Sequence, residues 1–213
     1  MVRVEPTAVV FDLDGVLVDS EAIWAAAEEA TVTRLGGEYT PELRAALHGR
    51  GARDGGWIVA ELLRRDDGDA IGNEVLDHAL AALEREARPV DGADELVADL
   101  RGRIPIAVCS NSSRDLVETA LRGAGLGAFD AIVAAEDVAQ AKPAPDPYVE
   151  ACRRLGVPPG RAAAVEDSPA GVASAKAAGM LVIGLDATGE IRLDGADVVI
   201  RSLRELEFAN PQP

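Results

Sequence analysis

Residues 8–21 read AVVFDLDGVLVDSE, an apolar run that ends abruptly on Asp12 and Asp14, with Asp19 just beyond. Acidic side chains directly after a segment built for burial meet both desolvation and mutual repulsion, so their position calls for a chemical explanation. The run itself is too short for a helix and lacks alternation. It reads as a strand buried on both faces, as in a parallel sheet. Runs of the same kind recur as IPIAVCS (104–110), DAIVAAE (130–136), AAAVED (162–167), LVIGLD (181–186) and ADVVI (196–200). Helical spacing fills the intervals at 93–101, 114–122, 147–155 and 169–178, with glycine stops at Gly102, Gly123, Gly156 and Gly179. Alternating strand and helix predict an α/β fold with a doubly wound, Rossmann-like parallel sheet.

Residues 20–88 break this rhythm. They contain no strand-like run and carry helical spacing instead, as in Leu76, Ala79, Leu80 and Leu83. Thr40, Pro41 and Glu42 form a helix start, with a capping hydroxyl and a proline at the first helical position. An all-helical cap domain over 20–88 is therefore expected, inserted into a core made of 1–19 and 89–213. Pro89 and Gly92 mark the re-entry.

The 213 residues carry a formal charge of −16, and no Lys/Arg cluster interrupts the acidic balance. Neither nucleic acid nor a membrane surface is expected as a partner. Only Lys142 and Lys176 stand against nineteen arginines, so the position of each lysine is informative. Cys109 and Cys152 have neither metal nor disulfide spacing and read as reduced, buried thiols. With no leader-like segment and no spanning run, a cytoplasmic monomer or weak homodimer is the expectation.

In a parallel α/β sheet the residues at the carboxyl ends of the strands converge on one crevice. Those residues are Asp12 and Asp14, Ser110 and Asn111, Glu136 and Asp137, and Glu166 and Asp167, with Lys142 following in AQAKPAPDPY (139–148). Several carboxylates cannot ionise together without a counter-charge. An all-oxygen donor set suits a hard cation, and Mg²⁺ also leaves a position for a substrate phosphate. Ser110, Asn111 and Lys142 supply hydroxyl, amide and ammonium donors for phosphate oxygens. Asp137 offers a hydrogen bond to Lys142. The set points to phosphoryl transfer.

DLDGVLVDS, VCSNSS, AKPAPDPY and VEDSPAG, in that order along essentially the whole chain, resemble the four motifs of the haloacid dehalogenase superfamily. The resemblance is to its helical-cap phosphatase and β-phosphoglucomutase-like branch. It implies that Asp12 is the nucleophile and forms an aspartyl-phosphate, and that Asp14 acts first as acid and then as base. It further implies Mg²⁺ bound by Asp12, the Asp14 carbonyl, Asp167 and Glu166, the last directly or through water. Ser110, the Asn111 amide and Lys142 would hold the transferring phosphoryl group. The substrate would be a small phosphorylated metabolite, a sugar phosphate or a phosphoglycolate-like monoester.

The loop LHGRGARDGGW (47–57) combines four glycines with His48, Arg50 and Arg53, which are candidates for substrate selection. Sugar phosphomutases of this branch commonly carry a histidine where Trp24 stands and an arginine near Ala52. Both are absent, which favours hydrolysis over mutase chemistry. A 2-haloacid dehalogenase would not need the acid Asp14, and a non-catalytic sensor would not need all four motifs intact.

Overall fold

The computed structural model describes residues 1–47, 50–127 and 129–209. The chain divides into two compact units, one formed by Met1–Asp19 with Arg88–Pro213 and the other by Ser20–Ala87. In the first unit the strands are β1 (Val2–Val4), β2 (Ala8–Phe11), β3 (Val18–Asp19), β4 (Arg88–Pro89), β5 (Ile106–Cys109) and β6 (Ala131–Val133). They continue with β7 (Ala162–Glu166), β8 (Leu181–Leu185), β9 (Val198–Ile200) and β10 (Leu206–Phe208). The helices of the second unit are α1 (Glu21–Arg34), α2 (Pro41–Leu47), α3 (Ala52–Leu62) and α4 (Gly68–Glu86). Those of the first are α5 (Ala93–Leu100), α6 (Arg114–Gly123), α7 (Asp146–Leu155) and α8 (Pro169–Ala177).

Six strands form one parallel sheet in the order β6–β5–β2–β7–β8–β9. The chain leaves β2 towards one edge through β5 and β6, then returns to the other side of β2 as β7. The reversal of strand order falls at β2, the point where α/β sheets bind ligands. Every residue of β2, β5 and β7 is buried, which is why these runs are continuously apolar instead of alternating. Val10, Ala107 and Ala164 on the sheet meet Tyr148, Ala151 and Cys152 of α7 and Val172 and Ala175 of α8 in one core cluster.

Three details lie outside the sequence reading. The terminal strands β1 and β10 pair with each other in parallel, and β3 pairs antiparallel with β4 where the chain leaves the first unit and re-enters it. α6 ends on Gly123, where the stop was expected, but not through a left-handed glycine at that position. The left-handed turn falls two residues later, at Gly125 (φ 70°).

In the second unit α3 and α4 cross at backbone contact. A Cβ on Gly56 would overlap the Gly68 carbonyl oxygen and the Gly72 backbone, and one on Gly72 would press on the backbone of Ala52 and Arg53. The Thr40 hydroxyl accepts from Leu43 N (3.3 Å) at the start of α2. Among the described residues no helix is long and apolar enough to cross a membrane.

Gly56→Ala therefore tests the crossing. On an isolated helix the change favours the fold by about 1 kcal/mol; here overpacking is expected to dominate and destabilise by about 1–3 kcal/mol, read from urea denaturation. A stabilised variant would contradict the close contact.

Candidate active site

Strand register assembles the site. Phe11 of β2 pairs with Val108 on one side and Val165 on the other, so Asp12 lies level with Cys109 and Glu166 on strands about 4.8 Å away. The Asp12 amide continues the ladder by donating to the Val165 carbonyl (3.0 Å). Beyond it the chain turns sharply. Asp14 bridges Val18, and Gly15 takes a left-handed conformation (φ 75°) with its amide on the Val18 carbonyl (2.9 Å). Both features of Gly15 exclude a side chain, since a Cβ would overlap the Asp167 carboxylate and the backbone angle disfavours L residues.

Lys142 enters this crevice from the loop after β6 and is almost entirely buried. Its ammonium donates to Asp12 Oδ1 (2.5 Å), Glu166 Oε1 (2.7 Å) and the Cys109 carbonyl (2.8 Å). An ammonium has three hydrogens, and all three are used. Burial works against the charge of Lys142, but Asp12 and Glu166 more than restore it and hold the group well above the usual lysine range. Burial pushes the Asp12 carboxyl up to about 7, against the pull of Lys142 and with the push of Glu166 and Asp14. Burial, followed by the charges of Asp12, Glu166 and Asp14, raises Asp167 to about 8. When all are ionised, three carboxylates against one ammonium leave negative charge in excess, the repulsion that helps to raise Asp12 and Asp167.

That excess fits a cation. Asp12, Glu166 and Asp167 each present an oxygen within 4.8 Å of the others. The donors are all hard oxygens, the set that Mg²⁺ prefers. Glu166 differs from the two aspartates because protein donors already engage both of its oxygens. Oε1 accepts from Lys142 and from Tyr148 (2.6 Å), while Oε2 accepts from the Ser168 hydroxyl (3.0 Å). A Cβ on Gly171 would overlap this carboxylate, so the first turn of α8 closes directly over it.

The remaining sequence candidates divide into three groups. Ser110 is buried beside the cluster, and its hydroxyl accepts from Ser112 N (3.1 Å), shaping the turn before α6. The Asn111 side chain is committed to the backbone of Lys142, accepting from its amide (2.9 Å) and donating to its carbonyl (3.3 Å). It ties the loop after β5 to the loop after β6. Asp137 does not reach Lys142, contrary to the expectation above. It pairs with Arg114 (2.6 Å) and Arg154 (2.9 Å), because the turn after β6 directs it at the start of α6. In the second unit Arg50 donates to the Ala46 carbonyl (2.9 Å), and Arg53 pairs with Asp69 (2.9 Å). His48 lies outside the described residues.

Sequence reasoning missed Tyr148, Ser168 and the Cys109 carbonyl as partners of the charged cluster. A buried tyrosine in AKPAPDPY, six positions after the lysine, was the available signal.

Residues 6–179 match the haloacid dehalogenase-like hydrolase family. Validoxylamine A 7'-phosphate phosphatase of Streptomyces hygroscopicus subsp. limoneus is 34% identical over 206 residues, covering 95% of this chain and 97% of that protein. Hexitol phosphatase A of Escherichia coli K12 is 33% identical over 210 residues, covering 92% and 91%. Among solved structures, CbbY of Rhodobacter sphaeroides in complex with phosphate superposes with a TM-score of 0.81 at 31% identity, covering 95% and 97%. A mutant of CbbY has been solved with xylulose-(1,5)bisphosphate.

The raised Asp167 pKa carries a definite sign. The folded protein keeps a proton that the unfolded chain, with an ordinary value of 3.8, has released, so this group's contribution to stability falls as pH rises from about 4 to about 8. Asp167→Asn cannot ionise. In EDTA it is expected to gain stability relative to the parent over that range, with the difference shrinking when Mg²⁺ is added. Urea midpoints at pH 5 and pH 8 test this, and a difference independent of pH would contradict the crowded-carboxylate reading.

Proposed function

The chain belongs to the haloacid dehalogenase-like hydrolase family, and from that premise we propose that it is a Mg²⁺-dependent phosphatase of small phosphorylated sugars or sugar alcohols. One observation carries the chemical part: a buried lysine bridging Asp12 to Glu166 beside the negative excess of Asp167. The substrate class is supported by the relatives, whose names refer to a validoxylamine phosphate and to hexitol phosphates.

In this reading an Asp12 carboxylate oxygen attacks phosphorus in line with the leaving alcohol oxygen. The P–O bond to the alcohol breaks, and Asp14 gives that oxygen its proton. The product is an aspartyl-phosphate on Asp12, which splits one difficult displacement into two. Asp14, now a base, takes a proton from water as the water attacks phosphorus, the P–O bond to Asp12 breaks, and inorganic phosphate leaves with the Asp12 carboxylate restored. Ser110 and Lys142 hold the phosphoryl oxygens as charge builds on them, the Lys142 hydrogen bond now made to Asp12 Oδ1 passing to the phosphoryl group as Asp12 bonds to phosphorus. The Asn111 side chain fixes the Lys142 backbone, so its contribution to the phosphate would come from its own backbone amide. Asp12, Asp167 and the Asp14 carbonyl would hold Mg²⁺, with Glu166 serving chiefly as counter-charge to Lys142. When bound, the ion neutralises the carboxylates and the phosphoryl oxygens.

Hydrolysis is favoured over transfer to a second sugar oxygen by Trp24, which stands where mutases of this branch commonly carry a histidine. Trp24 packs against Ala27, Val75 and Ala79.

The test is phosphate release from hexitol and sugar phosphates with Mg²⁺. Asp12→Asn is expected to lower the rate by at least about a thousandfold, and EDTA to abolish it until Mg²⁺ is restored. With a sugar 1-phosphate the product should be free sugar and phosphate. Quantitative conversion to the 6-phosphate without phosphate release would overturn hydrolysis in favour of a mutase.

A further inference from the structure

We propose that Tyr148 is a positioning residue for phosphoryl transfer, whose hydroxyl fixes the Glu166 carboxylate and through it the Lys142 ammonium that faces Asp12. The inference rests on the phosphatase reading above and adds a residue to its machinery. Tyr148 stands in the first turn of α7, and its side chain is fully buried. Its hydroxyl donates to Glu166 Oε1 at 2.6 Å, the same oxygen that accepts from Lys142 at 2.7 Å. Its ring lies 5.0 Å from the Lys142 ammonium, within range of a cation–π attraction. One side chain thus contacts both members of the ion pair that orients the proposed nucleophile.

A phenol is an unusual choice for mere filling. The ring belongs to the apolar core cluster with Cys109, Ala151 and Val172, a role that phenylalanine would fill as well. A buried hydroxyl is costly without a partner, and here the partner is the carboxylate. Burial and the negative charge of Glu166 hold the phenol well above its ordinary pKa, so it remains a donor.

The function of the hydroxyl follows from the acceptor count. A carboxylate has about four lone-pair sites. Tyr148 and Lys142 occupy Oε1, and Ser168 occupies Oε2 through its hydroxyl, with its amide at 3.4 Å. Without the phenol, Oε1 would be held by Lys142 alone. With Oε2 still held by Ser168, Oε1 would follow the flexible ammonium instead of anchoring it, and Lys142 would be less well set against the charge that develops on the phosphoryl group. The expected loss is therefore in the chemical step and not in substrate binding.

The experiment uses the full-length protein with p-nitrophenyl phosphate and MgCl₂. Tyr148→Phe is expected to lower kcat about tenfold with KM within twofold of the parent and the circular dichroism unchanged. In a Glu166→Gln background, Tyr148→Phe should cause less than a twofold further loss, because the hydroxyl acts through that carboxylate. An unchanged kcat, a change confined to KM, or the same tenfold loss in both backgrounds would overturn the proposal. Loss of the fold in Tyr148→Phe would overturn it too, since the hydroxyl would then be a structural element. A parent that releases no phosphate from p-nitrophenyl phosphate or any sugar phosphate would instead refute the phosphatase reading, so the two failures are distinguishable.

Discussion

The Lys142 ammonium, held at once by Asp12, Glu166 and the Cys109 carbonyl, is the contact on which the rest of the site depends. These partners lie on adjacent strands or at their ends, and the lysine arrives from a separate loop. A buried ammonium in that position is stable only because opposite charge surrounds it, and the carboxylates tolerate their proximity partly because the ammonium lies between them. Removing one partner would leave the other as an uncompensated buried charge. Among the described residues no buried side-chain nitrogen or oxygen lacks a hydrogen-bond partner.

Around this contact the fold provides rigidity by crowding. Gly15 and Gly171 leave room for the Asp167 and Glu166 carboxylates where any side chain would collide with them. Asn111 locks the lysine-bearing loop through two backbone hydrogen bonds, and Ser168 both caps α8 through Gly171 N (3.0 Å) and holds Glu166. The result is a preorganised set of charges with more negative than positive members. That imbalance suits an enzyme that recruits a cation together with a phosphorylated substrate, because each neutralises part of the other's field.

The parallel sheet was legible because burial on both faces forces continuous apolar runs, and residues 8–11, 106–109 and 162–166 have no other reading at that length. The positions after those runs were legible because strand ends converge in such a sheet. Side-chain pairing was much less so. Asp137 resembled a partner for Lys142 in one dimension, but the turn after β6 turns it towards Arg114 and Arg154. Tyr148 read as part of a motif and not as a partner of Glu166, since nothing in the spacing tells which face of the first turn of α7 meets the sheet. The strands β1, β3, β4 and β10 are short, and their pairing is tertiary and leaves no periodic trace.

In the proposed reaction Asp12, poised by Lys142, takes the phosphoryl group. Acid quenching during turnover of a hexitol phosphate, followed by borohydride reduction and peptide mass spectrometry, tests it directly, because reduction converts an aspartyl-phosphate to homoserine. Attack by Asp12 predicts homoserine at position 12 in the parent and none in Asp12→Asn. Sustained phosphate release with no homoserine at position 12, or with the modification on another residue, would contradict it.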